Sequence, residues 1–476
     1  MSKLVPTIGI EVHAELKTKS KVFSPSLNAY GEIANSKTNV IDLGYPGTLP
    51  NLNREVIDLA IKACIVTHCD IAPVMYFDRK NYFYPDLSKG YQITQQTTPI
   101  GFNGYIEIVV NGLKKKIGIE RLHIEEDTSK SIHEGESTLL DFNRAGIPLI
   151  EIVTKPVIES GEEAVLYLEK LRELLLYAEV SDVKIEEGSM RCDANVSLKE
   201  LDSDVLGVKN EVKNIGSISS VKSAINYEIE RQKNLLEDGE QIKEQTRRYD
   251  EKKSATVLMR MKESNNDYRY FPEPDIPYVH IDEEWVEGIK DNMPMLPDEL
   301  REKYQALGIN DIAVKALIAR KDVASFLKNV IKLEGNPIIS ANLLTGDVLS
   351  YLNKHNLTID KTKLDEQNFN DLVNLLDRGE ISSKIGKELL NELIVYGGTV
   401  SEIIDKKGLK QISDIDSIRK LVRQVINDNM NVVEDYKDGN ERSIKYLIGQ
   451  VMKESKGQAN PKMLNEILTE ELSKDS

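Results

Sequence analysis

The chain has 476 residues, with 62 Lys plus Arg against 78 Asp plus Glu and a net charge of −16 at pH 7. At roughly 150 residues per domain, that length predicts about three domains. A hydrophobic content of 40%, 29% charged residues and only 28 Gly and 16 Pro exclude collagen-like and Pro-rich disordered chains. No run approaches the ~18 apolar residues a spanning helix needs, and Met1 to Ile10 lacks a basic start and an apolar signal core, so a cytoplasmic protein is expected. Three cysteines, Cys64, Cys69 and Cys192, exclude a disulfide framework and fit a reducing compartment. The acidic balance argues against unspecific coating of nucleic acid and leaves room for a local basic patch.

In chain order, "TIGIEVHAEL" predicts a strand with Ile8, Ile10, Val12, Ala14 and Leu16 on one face and Glu11, His13 and Glu15 on the other. Cys64 and Cys69 have no second pair to complete a metal site, so buried apolar use is expected. Phe77 to Gln95 is dense in polar aromatics, and turn signals follow at Asn103-Gly104 and Asn111-Gly112. "IGIERLHIEED" puts Arg121, His123, Glu125 and Asp127 on one strand face, with Glu126 opposite unless a bulge intervenes. Glu151 interrupts the apolar "GIPLIEIVT" and needs a cation or a donor if buried. Ser160 caps a predicted helix to about residue 180, and a second helix is predicted from about Ser219 to Glu237. Between them, "GSMRCDANVSLK" alternates Met190, Cys192, Ala194, Val196 and Leu198 with Arg191, Asp193, Asn195, Ser197 and Lys199.

Strands with interspersed helices predict an α+β fold with a largely antiparallel sheet rather than a doubly wound parallel one. Five prolines between Pro272 and Pro297 place the first boundary, and the rest has helical periodicity, as in "DVASFLKNVIKLEG" and "SIRKLVRQVINDN". Gly397-Gly398 marks a helix stop. The predicted domains are 1–292, 293–400 and 401–476.

Four strands with apolar backs thus offer acidic or basic fronts. Should the fronts converge, carboxylates, imidazole and Arg form the inventory for metal-assisted phosphoryl transfer; a set of surface salt bridges is the competing reading. Oxygen with nitrogen donors suits Mg2+ or Mn2+. There is no P-loop, no strand followed by G-x-G-x-x-G and no G-x-S-x-G elbow, which disfavours those nucleotide folds and covalent hydrolase chemistry. The aromatic segments Phe77–Gln95 and Asn266–Asp275 suit either stacking on a base or a bridge between core and surface. Near the end of the chain, Arg442, Lys445, Lys453 and Lys456 against Glu441 and Glu454 make a small cationic island, read either as a solvated helix face or as a phosphate contact.

Taken together, "GIEVHAEL", "DRKNYFYPDLSKGYQI", "RLHIEED", "DFNRAGIPLIEIV", "EEGSMRCDANVS", "DYRYFPEPD" and "GQVMKESKGQANP" closely resemble the GatB family, the B subunits of the aspartyl/glutamyl-tRNA(Asn/Gln) amidotransferases, in order from about Gly9 to Pro461. One departure is Ser88, where the family usually has Pro. The resemblance implies a cradle domain related to glutamine synthetase, a helical domain and a helical tail that helps bind tRNA. It implies an ATP-dependent ligase that phosphorylates the side-chain carboxylate of mischarged Glu-tRNA(Gln) or Asp-tRNA(Asn), after which ammonia displaces phosphate. Carried over, the metal-binding groups fall on Glu11, His13, Glu125, Glu126, Glu151 and Asp193. By the same resemblance, Ser189 and Arg191 would lie near the ATP phosphates, Lys80, Tyr82 and Lys89 would line the ammonia route, and Glu125, Lys80 and Arg191 would serve catalysis. The implied partners are a glutaminase (amidase) subunit, a small third subunit that wraps the other two, and tRNA(Gln) or tRNA(Asn), and the cationic island becomes a tRNA contact. The competing reading is a tRNA-binding scaffold without catalysis, against which the intact Glu11, His13, Glu125 and Asp193 set argues.

Overall fold

The computed structural model describes residues 4–185, 187–261, 268–407, 415–437, 442–455, 459 and 461–474. The chain divides into two compact units, Met1–Leu296 and Pro297–Ser476. The division lies four residues beyond the boundary expected from the prolines.

The first unit is built on one nine-stranded sheet. Its strands are β1 (Leu4–Glu15), β2 (Asp70–Ile71), β5 (Gly101–Val110), β6 (Leu113–Glu126), β7 (Pro148–Thr154), β8 (Met190–Glu200), β9 (Asn210–Lys213), β10 (Gln245–Asp250) and β11 (Ala255–Met261). Between β2 and β5 in the chain come β3 (Asp78–Asn81) and β4 (Tyr91–Thr94), which with Phe271–Pro272 form a separate three-stranded sheet. The order in the large sheet is β11-β10-β9-β8-β1-β7-β6-β5-β2, antiparallel except for β9 beside β10.

Strand alternation decides which face is core. Ile8, Ile10, Val12 and Ala14 of β1, Ile150 and Ile152 of β7, and Cys192, Ala194 and Val196 of β8 are buried on the back. There they join helices α1 (Arg54–Val66), α2 (Gly161–Tyr177) and α3 (Ile218–Glu237) in one continuous core. Helix α2 starts where its sequence demands: Ser160 accepts from the Glu163 N–H at 3.1 Å, and the Glu163 carboxylate accepts from the Glu159 N–H at 2.9 Å. Cys64 lies wholly within this core, and burial pushes its thiol well up.

The two turn signals have different outcomes. Asn111-Gly112, with φ of 50° and 81°, is the two-residue hairpin between β5 and β6. Asn103-Gly104 is no turn: β5 runs through it. The glycine is needed for close approach, because a Cβ there would sit 2.3 Å from Cys69 Sγ and 2.6 Å from the Thr67 carbonyl, which itself accepts from Tyr105 N–H at 2.9 Å.

The elements of the second unit among its described residues are all helices. The expected amphipathic segments form helices Lys321–Lys332 and Ile415–Asp428, and Gly397, with φ of 72°, ends helix Ser383–Tyr396. Ile418, Val422, Leu447, Val451, Leu464 and Leu468 belong to a core confined to the last four helices.

Candidate active site

The front of the sheet is where the polar halves of the alternating strands meet. Antiparallel pairing sets His123 of β6 opposite Glu151 of β7, Glu151 opposite His13 of β1, and His13 opposite Arg191 of β8. Directly paired side chains share a face, so four sequence-distant residues form a row across four strands. Glu125, two residues beyond His123, leans into the same row. His13 Nε2 lies 3.2 Å from Glu151 and 3.4 Å from Glu125, and His123 Nε2 lies 3.3 Å and 3.6 Å from the same two carboxylates.

The electrostatics follow from that alternation of sign. Burial disfavours charge on His13, but the hydrogen bonds and fields of Glu125 and Glu151 outweigh it and raise its pKa to about 10. His123 is raised in the same way against its burial. Burial also works against ionised Glu125 and Glu151, yet the two imidazoles hold Glu125 down at about 2 and Glu151 well below the usual carboxylate range.

A second acidic group lies on the other side of β1. Glu11 pairs with Asp193 of β8, and Glu211 of β9 pairs with Asn195 of β8. Donor atoms of Glu11, Asp193 and Glu211 lie within 4.8 Å of one another, as do those of His13, Glu125 and Glu151. Each set offers one donor per residue to a single ion, and carboxylates, joined in the first set by the His13 imidazole, fit a divalent cation of the Mg2+ or Mn2+ kind. Lys213 Nζ stands 2.7 Å from Asp193 and 2.9 Å from Glu211, while Asn195 donates to Glu11 at 2.7 Å. Burial, with the neighbouring Glu151 charge, raises the pKa of Glu11.

At the other end of the row, two guanidiniums share one carboxylate. Arg144 Nε and Arg191 Nη2 donate to Asp127 Oδ2 at 2.5 and 3.0 Å, and Arg144 also lies 3.6 Å from Glu15. Burial pushes Glu15 up to about 7, against the pull of Arg144. Arg144, Glu15 and Ser189 line a cleft of about 570 Å³, within the size range of small-molecule sites. Ser189 itself closes the preceding loop, its hydroxyl accepting from Lys184 N–H at 2.8 Å and donating to the Lys184 carbonyl at 3.1 Å.

Glu126 does not join either acidic group. It points away from Glu125, is held by Lys89 Nζ at 2.5 and 2.6 Å, and accepts from Ile93 N–H at 2.9 Å. Lys80 rests over the rings of Tyr268 and Tyr82, 4.9 and 5.8 Å from their centroids. Burial and the nearby Glu125 charge raise the Tyr82 hydroxyl's pKa. Lys445 and Lys453 are exposed on helix Arg442–Glu454; the Arg442 side chain and Lys456 lie outside the described residues.

Four participants are not evident from the sequence. Alternation places His123 on the correct face but does not single it out as a ligand, although its spacing from Glu125 is the available signal. Glu211 and Lys213 sit on the four-residue β9, too short for periodicity to announce it. Arg144 precedes Gly146, whose φ of 80° belongs to the turn before β7, and no spacing rule links it to Arg191.

Comparison with known proteins supplies the family. Residues 6–287 match the family described as the GatB/GatE catalytic domain, and residues 325–472 match the GatB domain. The chain belongs to the GatB/GatE family. Among its relatives, a Geobacillus thermodenitrificans protein named as the B subunit of aspartyl/glutamyl-tRNA(Asn/Gln) amidotransferase is 49% identical over 469 residues, 98% of each chain. Proteins of the same name from Geobacillus kaustophilus and Bacillus licheniformis are 49% and 48% identical over the same length and coverage. The GatB/GatE catalytic match contains both acidic groups and the paired arginines.

Proposed function

We propose that this chain is the amidating subunit of a tRNA-dependent amidotransferase, an ATP-dependent ligase that converts the side-chain carboxylate of mischarged Glu-tRNA(Gln), Asp-tRNA(Asn) or both into the amide. Its family membership and the name of its relatives support the activity. The observation that carries the reading is the pair of acidic groups flanking β1 beside two arginines joined through Asp127, of which Arg144 lines a cleft.

The chemistry explains why such a site is required. A carboxylate resists attack by ammonia, whereas its acyl phosphate offers a leaving group. His13, Glu125 and Glu151 would hold one divalent cation, and Glu11 and Asp193, with Glu211, another. Cations held there would supply positive charge to the phosphate oxygens of ATP. Arg191 and Arg144, kept side by side by Asp127, bind the phosphate chain and stabilise charge spreading over its oxygens. Ser189 borders the same cleft. Lys80, Tyr82 and Lys89 line the approach of ammonia. In this reading Glu126 anchors Lys89 and is not a metal ligand.

We assign ammonia production to a separate glutaminase subunit, with a small third chain completing a cytoplasmic heterotrimer; no described helix is long and apolar enough to cross a membrane. The large antiparallel sheet with its polar front suits a glutamine-synthetase-like cradle, and Arg442, Lys445, Lys453 and Lys456 would contact tRNA. The test is ATP turnover by the assembled complex with and without Glu-tRNA and Mg2+. Stimulation by Glu-tRNA with phosphate transfer to the glutamyl carboxylate is expected. A folded complex that binds mischarged tRNA and turns over no ATP would leave only a scaffold.

A further inference from the structure

Strand β6 loses its outer neighbour before it reaches the site. β5 pairs with it only as far as Gly101, opposite Leu122, so the ladder on that side stops short of Ile124, the residue between His123 and Glu125. A buried peptide N–H needs a partner. Gln95, itself fully buried, supplies it: its Oε1 accepts from the Ile124 N–H at 2.9 Å. The other end of the same amide donates to Met75 Sδ at 3.2 Å and the Tyr76 carbonyl at 3.4 Å, which fixes its orientation.

The neighbouring residues continue the grip. Thr94, buried and β-branched, donates its hydroxyl to Glu125 Oε2 at 3.3 Å. Gln92 donates to the Glu126 carbonyl at 2.8 Å, and the Ile93 N–H donates to the Glu126 carboxylate at 2.9 Å. Residues 92–95 thus hold residues 124–126 largely through side chains, where a backbone ladder would have fixed only the strand. The Thr94 bond selects one carboxylate oxygen: with Oε2 turned toward Thr94 and His123, Oε1 is left facing His13.

We infer that Thr94 and Gln95 are positioning residues for Glu125, Thr94 orienting its carboxylate and Gln95 fixing the peptide between His123 and Glu125. The inference rests on the reading of Glu125 as a cation-binding group. Partners of this kind orient metal-binding carboxylates, and losing one typically weakens metal affinity about 10–100-fold.

The experiment titrates the assembled complex with Mn2+ by calorimetry and follows aminoacyl-tRNA phosphorylation. Thr94→Val keeps the shape and removes the donor; it is expected to weaken Mn2+ binding about 10-fold or more and lower kcat, with KM for the tRNA and the melting temperature near wild type. Thr94→Ser restores the donor and is expected to recover the affinity. Gln95→Leu is expected to weaken Mn2+ binding as well, at a lower melting temperature. Glu125→Gln separates the two layers of the argument. Loss of Mn2+ affinity in Glu125→Gln beside wild-type affinity in Thr94→Val overturns the positioning role alone. Wild-type affinity in both overturns the reading of Glu125 beneath it.

Discussion

Lys213 pairs with two of the three carboxylates of the second acidic group, and replacing it with methionine tests what that group is for. The ammonium lies 2.7 Å from Asp193 and 2.9 Å from Glu211, whose side chains are 15% and 12% exposed, while a third of Lys213's own side chain meets solvent. Opposite charges 4 Å apart attract by about 4 kcal/mol near a protein surface. Breaking a buried pair costs about 3–5 kcal/mol, and partial exposure brings the expected loss for Lys213→Met to about 2–3 kcal/mol. For a unit of this size that is roughly 5 °C in melting temperature. The positive charge beside Asp193 and Glu211 is then gone and no longer competes for them, so the variant should bind a divalent ion more tightly than wild type. Mn2+ at 100 times its dissociation constant contributes about 2.7 kcal/mol, enough to offset the loss. Scanning calorimetry of the assembled complex in EDTA and in Mn2+ reads both effects. A melting temperature lowered equally in EDTA and Mn2+ would refute the reading of Glu11, Asp193 and Glu211 as a cation site.

Three further outcomes follow from the same geometry. Asp127→Asn removes the charge that holds Arg144 and Arg191 together, so KM for ATP should rise about 10-fold, an equivalent of about 1.4 kcal/mol; an unchanged KM in steady-state kinetics would detach the arginines from phosphate binding. Gly104→Ala drives a methyl into Cys69 Sγ and the Thr67 carbonyl and should lower stability in urea by about 1–3 kcal/mol, and Cys69→Ala should not restore it fully because the Thr67 contact is backbone; full restoration would place the whole clash at sulfur. Lys445→Ala with Lys453→Ala should weaken tRNA binding and reduce the slope of log affinity against log salt by up to roughly 2, whereas an unchanged slope would return both lysines to a solvated face.

What is legible in the sequence is whatever strand alternation fixes within one segment. Glu11, His13 and Glu15 against Ile10, Val12 and Ala14 can be separated into front and back because period two leaves no other choice for a strand with one buried face. The neighbours of β1 cannot be read in this way. It pairs with residues 149–153 and 190–200, and nothing local says that these distant segments, rather than the adjoining ones, complete its ladders. Hence Glu151 is visible as a carboxylate in need of a partner, while His123 and His13 as the partners are not. The same limit hides the grip on Glu126: Lys89 and Ile93 reach it from outside its own sheet. Asn103-Gly104 misleads for a related reason, since the glycine answers to Thr67 and Cys69, which approach from outside its own segment.

The position of β1 also explains why two acidic groups coexist without collapsing into one. Glu11 and His13 are two residues apart on the same face, a separation of about 7 Å along an extended strand. Each then finds its partners on a different side: His13 with Glu151 of β7 and Glu125 of β6, Glu11 with Asp193 of β8 and Glu211 of β9. One strand therefore sets the spacing between the groups, and the strands on either side fill them independently. The charge balance is likewise divided, with the two imidazoles between Glu125 and Glu151 and Lys213 between Asp193 and Glu211. A cation entering the first group must displace imidazole protons, and one entering the second must displace an ammonium. The two sites should accordingly differ in affinity, and Lys213→Met should alter the second while leaving the first nearly as it was.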